Sequence, residues 1–148
     1  MHSVFVLCQN YPSEKDKYSM AFVHPRIKEY LKTGLDVKVI SFACNCSYIY
    51  DEVQVYTLQK GKELLRKSEK VILIAHAPNI KNHLFFILKT WKYLDRLILF
   101  FHGHEVLSTK KYYPRPYDFN KAAKREYRFL RLYDQIKLPV MRYYLKKF

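Results

Sequence analysis

The sequence predicts an α/β fold in which a mostly parallel, doubly wound sheet carries helices on both faces. Short apolar runs alternate with amphipathic stretches along the chain, which is the order of strands and helices in such folds. The predicted strands are continuous apolar runs, as expected of parallel strands that are covered on both faces. The chain has 148 residues, of which 49% are hydrophobic, so we expect residues 1–148 to form one domain.

The first part of the chain predicts two strands with a helix between them. Val4–Cys8 is an apolar run that ends at turn-forming residues, so we expect a buried strand there. Apolar residues at helical spacing follow, and they predict a helix that begins near Ala21 and ends at Gly34. This start places Pro25 in the first helical turn, where a proline is tolerated. Val37–Phe42 is the second predicted strand.

The middle of the chain continues the alternation with three strands and two helices. Val53–Leu58 predicts a third strand, which is short and lies near an edge of the sheet. Lys62–Lys70 predicts a modest helix, and Val71–Ala75 predicts a fourth, strongly buried strand. Apolar residues within Ile80–Leu94 lie on one helical face, and Leu97–Phe101 then predicts the fifth strand.

The character of the sequence changes after residue 101. Lys110–Tyr117 contains two prolines and predicts a loop. Lys121–Tyr133 predicts a helix and Val140–Phe148 the start of another, and we expect the basic segment 107–148 to close the domain. No strand follows these helices, so the predicted fold looks incomplete at its C-terminus.

The chain is strongly basic. It contains 27 lysines and arginines against 13 aspartates and glutamates, for a net charge of +14. Residues 107–148 alone hold 12 basic and 3 acidic side chains. A field of this sign favours anionic partners such as nucleic acids, phospholipid headgroups or phosphorylated substrates.

Glycine and cysteine usage excludes several kinds of site. Gly34, Gly61 and Gly103 are too few and too far apart for a dinucleotide-binding fingerprint or a P-loop. Three cysteines without a C-x-x-C spacing indicate neither a disulfide framework nor a redox or zinc motif. The N-terminus lacks the features of a signal peptide, and no run of about 20 uncharged apolar residues occurs. We therefore expect a reduced, cytoplasmic protein.

The carboxyl ends of three predicted strands carry the side chains best suited to chemistry. The first strand leads into Asn10 and the fourth into His76. The fifth strand leads into His102, His104 and Glu105. Ligands of open parallel sheets bind outside the carboxyl ends of the strands, where the strand order reverses, so we expect these side chains to converge on one rim.

Several of these residues also have an ordinary structural interpretation. A histidine directly after a buried strand is often a hydrogen-bonded structural residue, and this applies to His76 and His102. Glu105 is suited either to act as a general base or to cap the segment that follows it. A zinc site built from the histidines lacks a supporting motif, because the side chains of His102 and His104 diverge in an extended segment. We therefore expect no metal site.

Four segments, taken in order, carry a resemblance to a known family. They are Val4–Ser13, which ends in Asn-Tyr-Pro-Ser; Phe22–Ile40, a helix followed by a strand; Ile74–Pro78; and Leu99–Val106, a strand that leads into His-Gly-His-Glu. Their order and spacing, over nearly the whole chain, resembles the N-terminal domain of family 4-like GT-B glycosyltransferases. The resemblance implies a Rossmann-like domain that forms the acceptor-side lobe of a two-lobe enzyme.

The resemblance also implies an activity and a set of partners. Such enzymes move a sugar from a nucleotide-sugar donor to a polysaccharide or lipid-linked acceptor, with no cofactor beyond the donor substrate. Their second lobe, which carries an acidic E-x7-E motif, makes most of the contacts with the donor. No such lobe follows in this sequence, so we expect the chain to need a C-terminal donor-binding lobe or a partner chain and to be inactive alone.

The resemblance assigns roles to individual residues. The family's histidine near the transferred sugar maps onto His102 and its acid onto Glu105, where this sequence has Glu in place of the commoner Asp; these two are the expected catalytic residues. The expected substrate-binding residues are Asn10, Ser13, His76 and His104. Many members carry a Gly-Gly pair in the first loop, where the backbone approaches the donor phosphate. Residues 13–17 here read Ser-Glu-Lys-Asp-Lys, so that backbone phosphate site does not carry over.

Two predicted helices carry basic faces that suit a membrane surface. On the helix over Ile80–Leu94, four residues lie opposite the apolar stripe: Lys81, Phe85, Lys89 and Lys92. On the later helix, one stripe holds Lys121, Lys124, Arg125, Arg128 and Arg131. Each cation near an anionic membrane contributes roughly 1 kcal/mol, so we expect peripheral docking on the inner face of the membrane. The alternatives are a solvated basic face and, for Phe85, a contact with the core.

Two other functions stay open at the level of sequence. A non-catalytic binding module of the same fold would show the same sequence features. A basic nucleic-acid-binding α/β domain would explain the net charge, but no RNP or KH signature occurs and the aromatic residues form no recognisable stacking platform. Nucleic acid is therefore the less favoured partner.

Overall fold

The computed structural model describes residues 2–112 and 121–147, without the side chains of residues 121–124. The chain divides into two compact units, Met1–Phe100 and Phe101–Phe148. We call them the sheet unit and the helical unit. Each is described by itself below.

The sheet unit contains six strands. They are β1 (Ser3–Cys8), β2 (Asp36–Ser41), β3 (Tyr48–Tyr50), β4 (Val53–Tyr56), β5 (Val71–His76) and β6 (Arg96–Phe100). The strands lie in the order β3-β4-β2-β1-β5-β6, and all neighbouring pairs are parallel except β3 with β4. The prediction of a mostly parallel α/β sheet is confirmed.

The connections carry helices on both faces of this sheet. They include α1 (His24–Lys32), α2 (Leu58–Lys67) and α3 (Phe85–Thr90). Ile27 of α1 packs with Val6 in a core on one face. On the opposite face, α2 approaches β2 so closely that a Cβ at Gly61 would lie 2.5 Å from Ile40 Cγ1. The central strand β1 is therefore buried from both sides, which explains its continuous apolar sequence.

The order of the strands reverses at β1. From β1 the sheet extends through β2 to β4, and the chain then crosses to the other side and adds β5 and β6. In such sheets this reversal opens a crevice between the carboxyl ends of the two strands that flank it, here β1 and β5. The arrangement is compatible with a Rossmann-like fold.

Several element boundaries differ from the predicted ones. Helix α2 begins four residues before the predicted Lys62, because the Thr57 side chain caps its N-terminus by accepting a hydrogen bond from the Lys60 N–H. Strand β3 was not predicted at all; it forms an antiparallel hairpin with β4 through Asp51 and Glu52. The single helix predicted over Ile80–Leu94 is instead a π-helical turn, α3 and a final 3-10 turn.

The helical unit consists of α4 (Thr109–Tyr112) and α5 (Lys121–Lys147). The predicted loop over Lys110–Tyr117 is thus wrong at its start, and its residues 113–117 lie outside the described part of the chain. The two predicted helices are one continuous helix that passes through Pro139. Pro139 has no N–H to donate, so the helix lacks one backbone hydrogen bond there and continues beyond it. Within the described residues, no helix combines the length and the apolar character needed to cross a bilayer.

Candidate functional site

A cleft of about 550 Å³ opens in the sheet unit at the carboxyl ends of β1 and β2. One wall is the loop that follows β1, and the other is the segment from the end of β2 to β3. Three charged side chains line it, Glu14, Lys15 and Asp16. Its uncharged hydrogen-bonding side chains include Asn10, Ser13, Ser19, Ser41 and Asn45. Tyr48 and Ile49 add an aromatic and an aliphatic surface. The structure thus brings the predicted residues Asn10 and Ser13 together in one cleft.

The loop after β1 uses its own backbone donors. The Ser13 N–H donates to the Asp16 carbonyl at 3.0 Å, and the Asp16 N–H donates to the Ser13 carbonyl at 3.1 Å. The Asp16 carboxylate in turn accepts from the Tyr18 N–H at 3.2 Å. Since these three N–H groups are satisfied within the loop, they do not form the row of free donors that a phosphate group requires. The loop is therefore poorly suited to bind a phosphate group through these backbone donors.

A half-buried phenol, that of Tyr48, holds the wall of this cleft in place. The Tyr48 hydroxyl lies 3.1 Å from the Tyr11 carbonyl and 3.0 Å from that of Pro12. Burial raises the pKa of Tyr48 to about 12, helped by the nearby cysteines. The phenol therefore keeps its proton and remains a hydrogen-bond donor to the loop.

A hydrogen-bonded chain of three side chains lies behind the same loop. The Tyr11 hydroxyl lies 2.6 Å from His24 Nδ1, and His24 Nε2 lies 3.0 Å from the Asp51 carboxylate. Burial raises the pKa of Tyr11, so its hydroxyl donates to His24 and leaves the opposite ring nitrogen to donate to Asp51. Tyr11 itself is only 4% exposed. This chain therefore positions the loop and is not a reactive centre.

The sequence did not predict the hydrogen bonds that join Tyr11, His24 and Asp51. His24 lies in the helix and Asp51 in an unpredicted hairpin turn, so no spacing in the sequence connects them. The hydrogen bonds from His24 and Lys28 hold the pKa of Asp51 below its usual range. In the sequence, the only indication of these hydrogen bonds was the pair of adjacent acids that forms the hairpin turn.

The crevice between β1 and β5 is occupied by side-chain amides. Gln9 Oε1 accepts hydrogen bonds from Asn79 Nδ2 at 3.2 Å and from Asn82 Nδ2 at 2.8 Å. The Asn79 side chain also caps the π-helical turn by accepting from the Asn82 N–H at 2.8 Å. These amides join the loops after β1 and β5, and they were not predicted as site residues.

The predicted substrate-binding residue His76 is the last residue of β5. Its ring is 1% exposed and stacks on Phe100 with the ring centres 4.9 Å apart, so it does not line the cleft. The neighbouring His83 is fully buried, and its Nδ1 accepts from the Asn79 N–H at 3.3 Å. Burial, together with His76, lowers the pKa of His83 to about 4, so this ring is neutral at pH 7.

The predicted residues His102, His104 and Glu105 belong to the helical unit, whereas His76 belongs to the sheet unit. The Glu105 carboxylate accepts from the His102 N–H at 2.9 Å and so caps the turn around Gly103. His102 and His104 are exposed, and the His104 carbonyl accepts from Lys137 Nζ at 2.6 Å. This hydrogen bond closes the turn that precedes Glu105, whereas the sequence suggested a cap for the segment that follows it, and the role of Glu105 as a general base stays a prediction.

The residues predicted to face a membrane are exposed wherever their side chains are described. Phe85 is 58% exposed and lies under Lys89 Nζ at 6.0 Å, so it makes no full contact with the core. The other exposed members are Lys81, Lys92, Arg125, Arg128 and Arg131. The side chains of Lys121 and Lys124 lie outside the described part of the chain.

Comparison with known proteins adds no family to these observations. No protein-family model, no curated protein and no solved structure matches the chain. Among the described residues, no group of three or more histidines, cysteines or acids is placed to hold a metal ion. The site is therefore characterised by its own geometry, which is a polar cleft at the carboxyl end of a parallel sheet, lined by amides and hydroxyls together with Glu14, Lys15 and Asp16.

Proposed function

We propose that this protein is the acceptor-side lobe of a glycosyltransferase, which moves a sugar from a nucleotide-sugar to a polysaccharide or lipid-linked acceptor. The observation that carries the proposal is the cleft at the carboxyl ends of β1 and β2. The cleft lies at the carboxyl end of the sheet, which is the end at which open parallel sheets bind ligands, and it is next to the β1–β5 reversal. Its lining fits the acceptor better than the donor phosphates.

The chemistry of the lining supports a carbohydrate ligand. Sugar hydroxyls both donate and accept hydrogen bonds, and Asn10, Ser13 and Asn45 offer amides and a hydroxyl that do the same. Tyr48 and Ile49 provide apolar surface for the C–H face of a sugar ring. Three backbone donors of the first loop, the N–H groups of Ser13, Asp16 and Tyr18, are already used, which disfavours a phosphate at them.

The resemblance to family 4-like GT-B glycosyltransferases supports the reaction type. In this proposal His102 faces the transferred sugar, and Glu105 positions it through the hydrogen bond to the His102 N–H. The donor is held by a second lobe, either on the same polypeptide or on a partner chain. Glycosyl transfer takes place only when that lobe is present, because one lobe cannot exclude water from the reacting sugar.

Acceptor binding is tested with the 148-residue chain on an oligosaccharide array, followed by ligand-detected NMR titration of the saccharides that bind. We expect weak binding of neutral oligosaccharides that falls at least about tenfold in Asn10→Ala, since a lost hydrogen bond to a bound ligand costs on that order. The matched control is Gln59→Ala, an exposed amide on α2, which should bind as the wild type does. Equal loss in both variants, or no saccharide bound at all, would contradict the proposal.

Transfer is tested on the protein as isolated from its own cells with any associated chain. Incubation with nucleotide-sugars and a membrane extract should release nucleotide, and His102→Ala should abolish this release. Saccharide binding without nucleotide release by the wild type would instead identify a non-catalytic binding module of the same fold.

A further inference from the structure

Helix α5 has a buried side and, opposite it, a side with exposed apolar residues. One side packs inward through Met141 and the paired Asp134 and Lys137, all of which are less than a tenth exposed. The other side presents four large apolar residues to solvent. These are Phe129, Leu132, Ile136 and Tyr143, at 65%, 63%, 64% and 62% exposure. We call these four the exposed apolar face.

The helical repeat explains why these residues form one surface. At 3.6 residues per turn, the four positions fall within an arc of roughly 60° around the helix axis. The inward side of the helix lies opposite this arc. Four large apolar side chains on the side of the helix away from its buried residues indicate an apolar environment beyond the one around Met141.

A cationic groove of about 600 Å³ lies beside the exposed apolar face within the helical unit. Lys110, Arg128 and Arg131 contribute three positive charges to it, and Ser108 and Gln135 add polar groups. Leu132 lines this groove and also belongs to the exposed apolar face, so the two surfaces are continuous. We call it the cationic groove.

The acid in this groove does not cancel its charge. Asp134 lies 2.6 Å from Lys137 Nζ and also accepts from the Thr109 N–H. Burial opposes its ionisation, but these hydrogen bonds outweigh it and hold the pKa of Asp134 below its usual value. Its charge is thus matched by Lys137, and the three cations keep their net charge.

We propose that α5 docks on an anionic lipid bilayer, with the exposed apolar face in the headgroup–acyl boundary and a lipid phosphate in the cationic groove. An amphipathic helix with aromatic and aliphatic residues beside arginines is the usual form of such a surface element. A second copy of this chain is disfavoured, because it would bring two cationic grooves together. A nucleic acid would engage the groove but leave the four apolar residues in water. This inference does not depend on glycosyl transfer.

The first test is flotation of the 148-residue chain with two kinds of vesicle. One kind is pure phosphatidylcholine, and the other contains phosphatidylcholine and phosphatidylglycerol in equal parts. We expect binding to the anionic vesicles only, and at least about a tenfold loss of affinity in the double variant Arg128→Glu/Arg131→Glu. The control is Lys60→Glu/Lys67→Glu on α2, which changes the net charge equally and should retain most of the binding. An equal loss of vesicle affinity in both double variants would show that binding responds to net charge alone, and it would overturn the groove as a phosphate site.

The contribution of the exposed apolar face to vesicle binding is tested with Phe129→Ser/Ile136→Ser. The control is Tyr18→Ser, which removes a 91% exposed aromatic ring elsewhere in the chain. The first variant should bind anionic vesicles at least about tenfold more weakly, and the second should bind as the wild type does. Both sets of positions are exposed, so we expect the variants to fold, and circular dichroism checks this.

Insertion is observed directly with a tryptophan placed on the helix. The chain contains a single tryptophan, Trp91, so Trp91→Phe/Phe129→Trp reports from the exposed apolar face alone. Its fluorescence should shift to the blue on anionic vesicles and be quenched by brominated acyl chains. An unshifted spectrum, preferred binding to single-stranded RNA, or a dimer that Phe129→Ser/Ile136→Ser converts to monomer would each overturn the proposal.

Discussion

At the scale of single residues, burial separates the histidines. His83 is fully buried and uses Nδ1 as an acceptor for the Asn79 N–H, which requires the neutral ring. His102 and His104 are exposed. Histidines that look alike in the sequence therefore play different physical roles in the folded chain.

The buried His83 makes the stability of the protein depend on pH. Its pKa falls from 6.5 to about 4 on folding, so the unfolded chain binds this proton more readily. The neutral His83 ring contributes fully to the free energy of unfolding above pH 6.5. As the pH falls towards 4 this contribution is lost, and the free energy of unfolding decreases by roughly 3 kcal/mol.

Urea unfolding at pH 7.5 and pH 4.5 measures this effect. His83→Gln, which cannot titrate, should show a smaller difference between the two pH values than the wild type. His2→Gln, at an exposed histidine, should show the wild-type difference. An unchanged pH dependence in His83→Gln would rule out this histidine as the source.

At the scale of elements, the hairpin of β3 and β4 combines strain with a specific contact. Asp51 and Glu52 both have positive φ, at 43° and 66°, a region that favours glycine. Asp51 accepts a hydrogen bond from His24, whereas the Glu52 carboxylate makes an exposed ion pair with Lys28 at 2.7 Å. The two strained residues therefore differ in how much their side-chain contacts stabilise the fold.

Glycine substitutions at these positions should act in opposite directions. Glu52→Gly relieves the strain of the positive φ and loses only a surface ion pair. We therefore expect the protein to gain about 0.5–1 kcal/mol of stability and the midpoint of thermal unfolding to rise. Asp51→Gly also removes the partner of His24, so we expect a lower midpoint. A fall of the midpoint in Glu52→Gly would show that its ion pair outweighs the strain.

The elements that could be predicted from sequence are those whose local pattern and burial agree. β1 and β5 are apolar except at the terminal Ser3 and His76, and they are buried except at Ser3 and Ile72, so their continuous apolar runs were sufficient. The hairpin strand Tyr48–Tyr50 is short and alternates between half-buried and exposed residues, and its stability comes from pairing with β4. The start of α2 depended on the Thr57 cap. The long α5 continues through a proline, a residue that usually ends a helix.

At the scale of the whole molecule, the site was predictable only where it depends on strand ends. Asn10 and Ser13 follow a strand whose end could be located, and both line the cleft. His24 and Asp51 reach the same loop through tertiary contacts, which no spacing in the sequence encodes. The same holds for Gln9, whose side chain is engaged by amides about 70 residues away.

The three thiols allow the opening of the sheet unit to be followed in the intact chain. Cys8 is fully buried in the central strand, and burial raises its pKa well above the usual range. Cys46 is exposed, and the partly buried Cys44 has a pKa raised mainly by burial. Since the thiolate is the reactive form, we expect an alkylating reagent to modify Cys46 first, Cys44 more slowly, and Cys8 only when the sheet unfolds.

Peptide mapping by mass spectrometry after timed alkylation measures all three rates in one sample. The rate at Cys8 should rise with urea in parallel with the unfolded fraction seen by circular dichroism, while the rate at Cys46 should change little. Cys46→Ser removes the fast site and should leave the rate at Cys8 unchanged. Modification of Cys8 at a rate independent of urea would instead mean that β1 opens locally, because a thiol at the centre of the sheet is otherwise reached only through global unfolding.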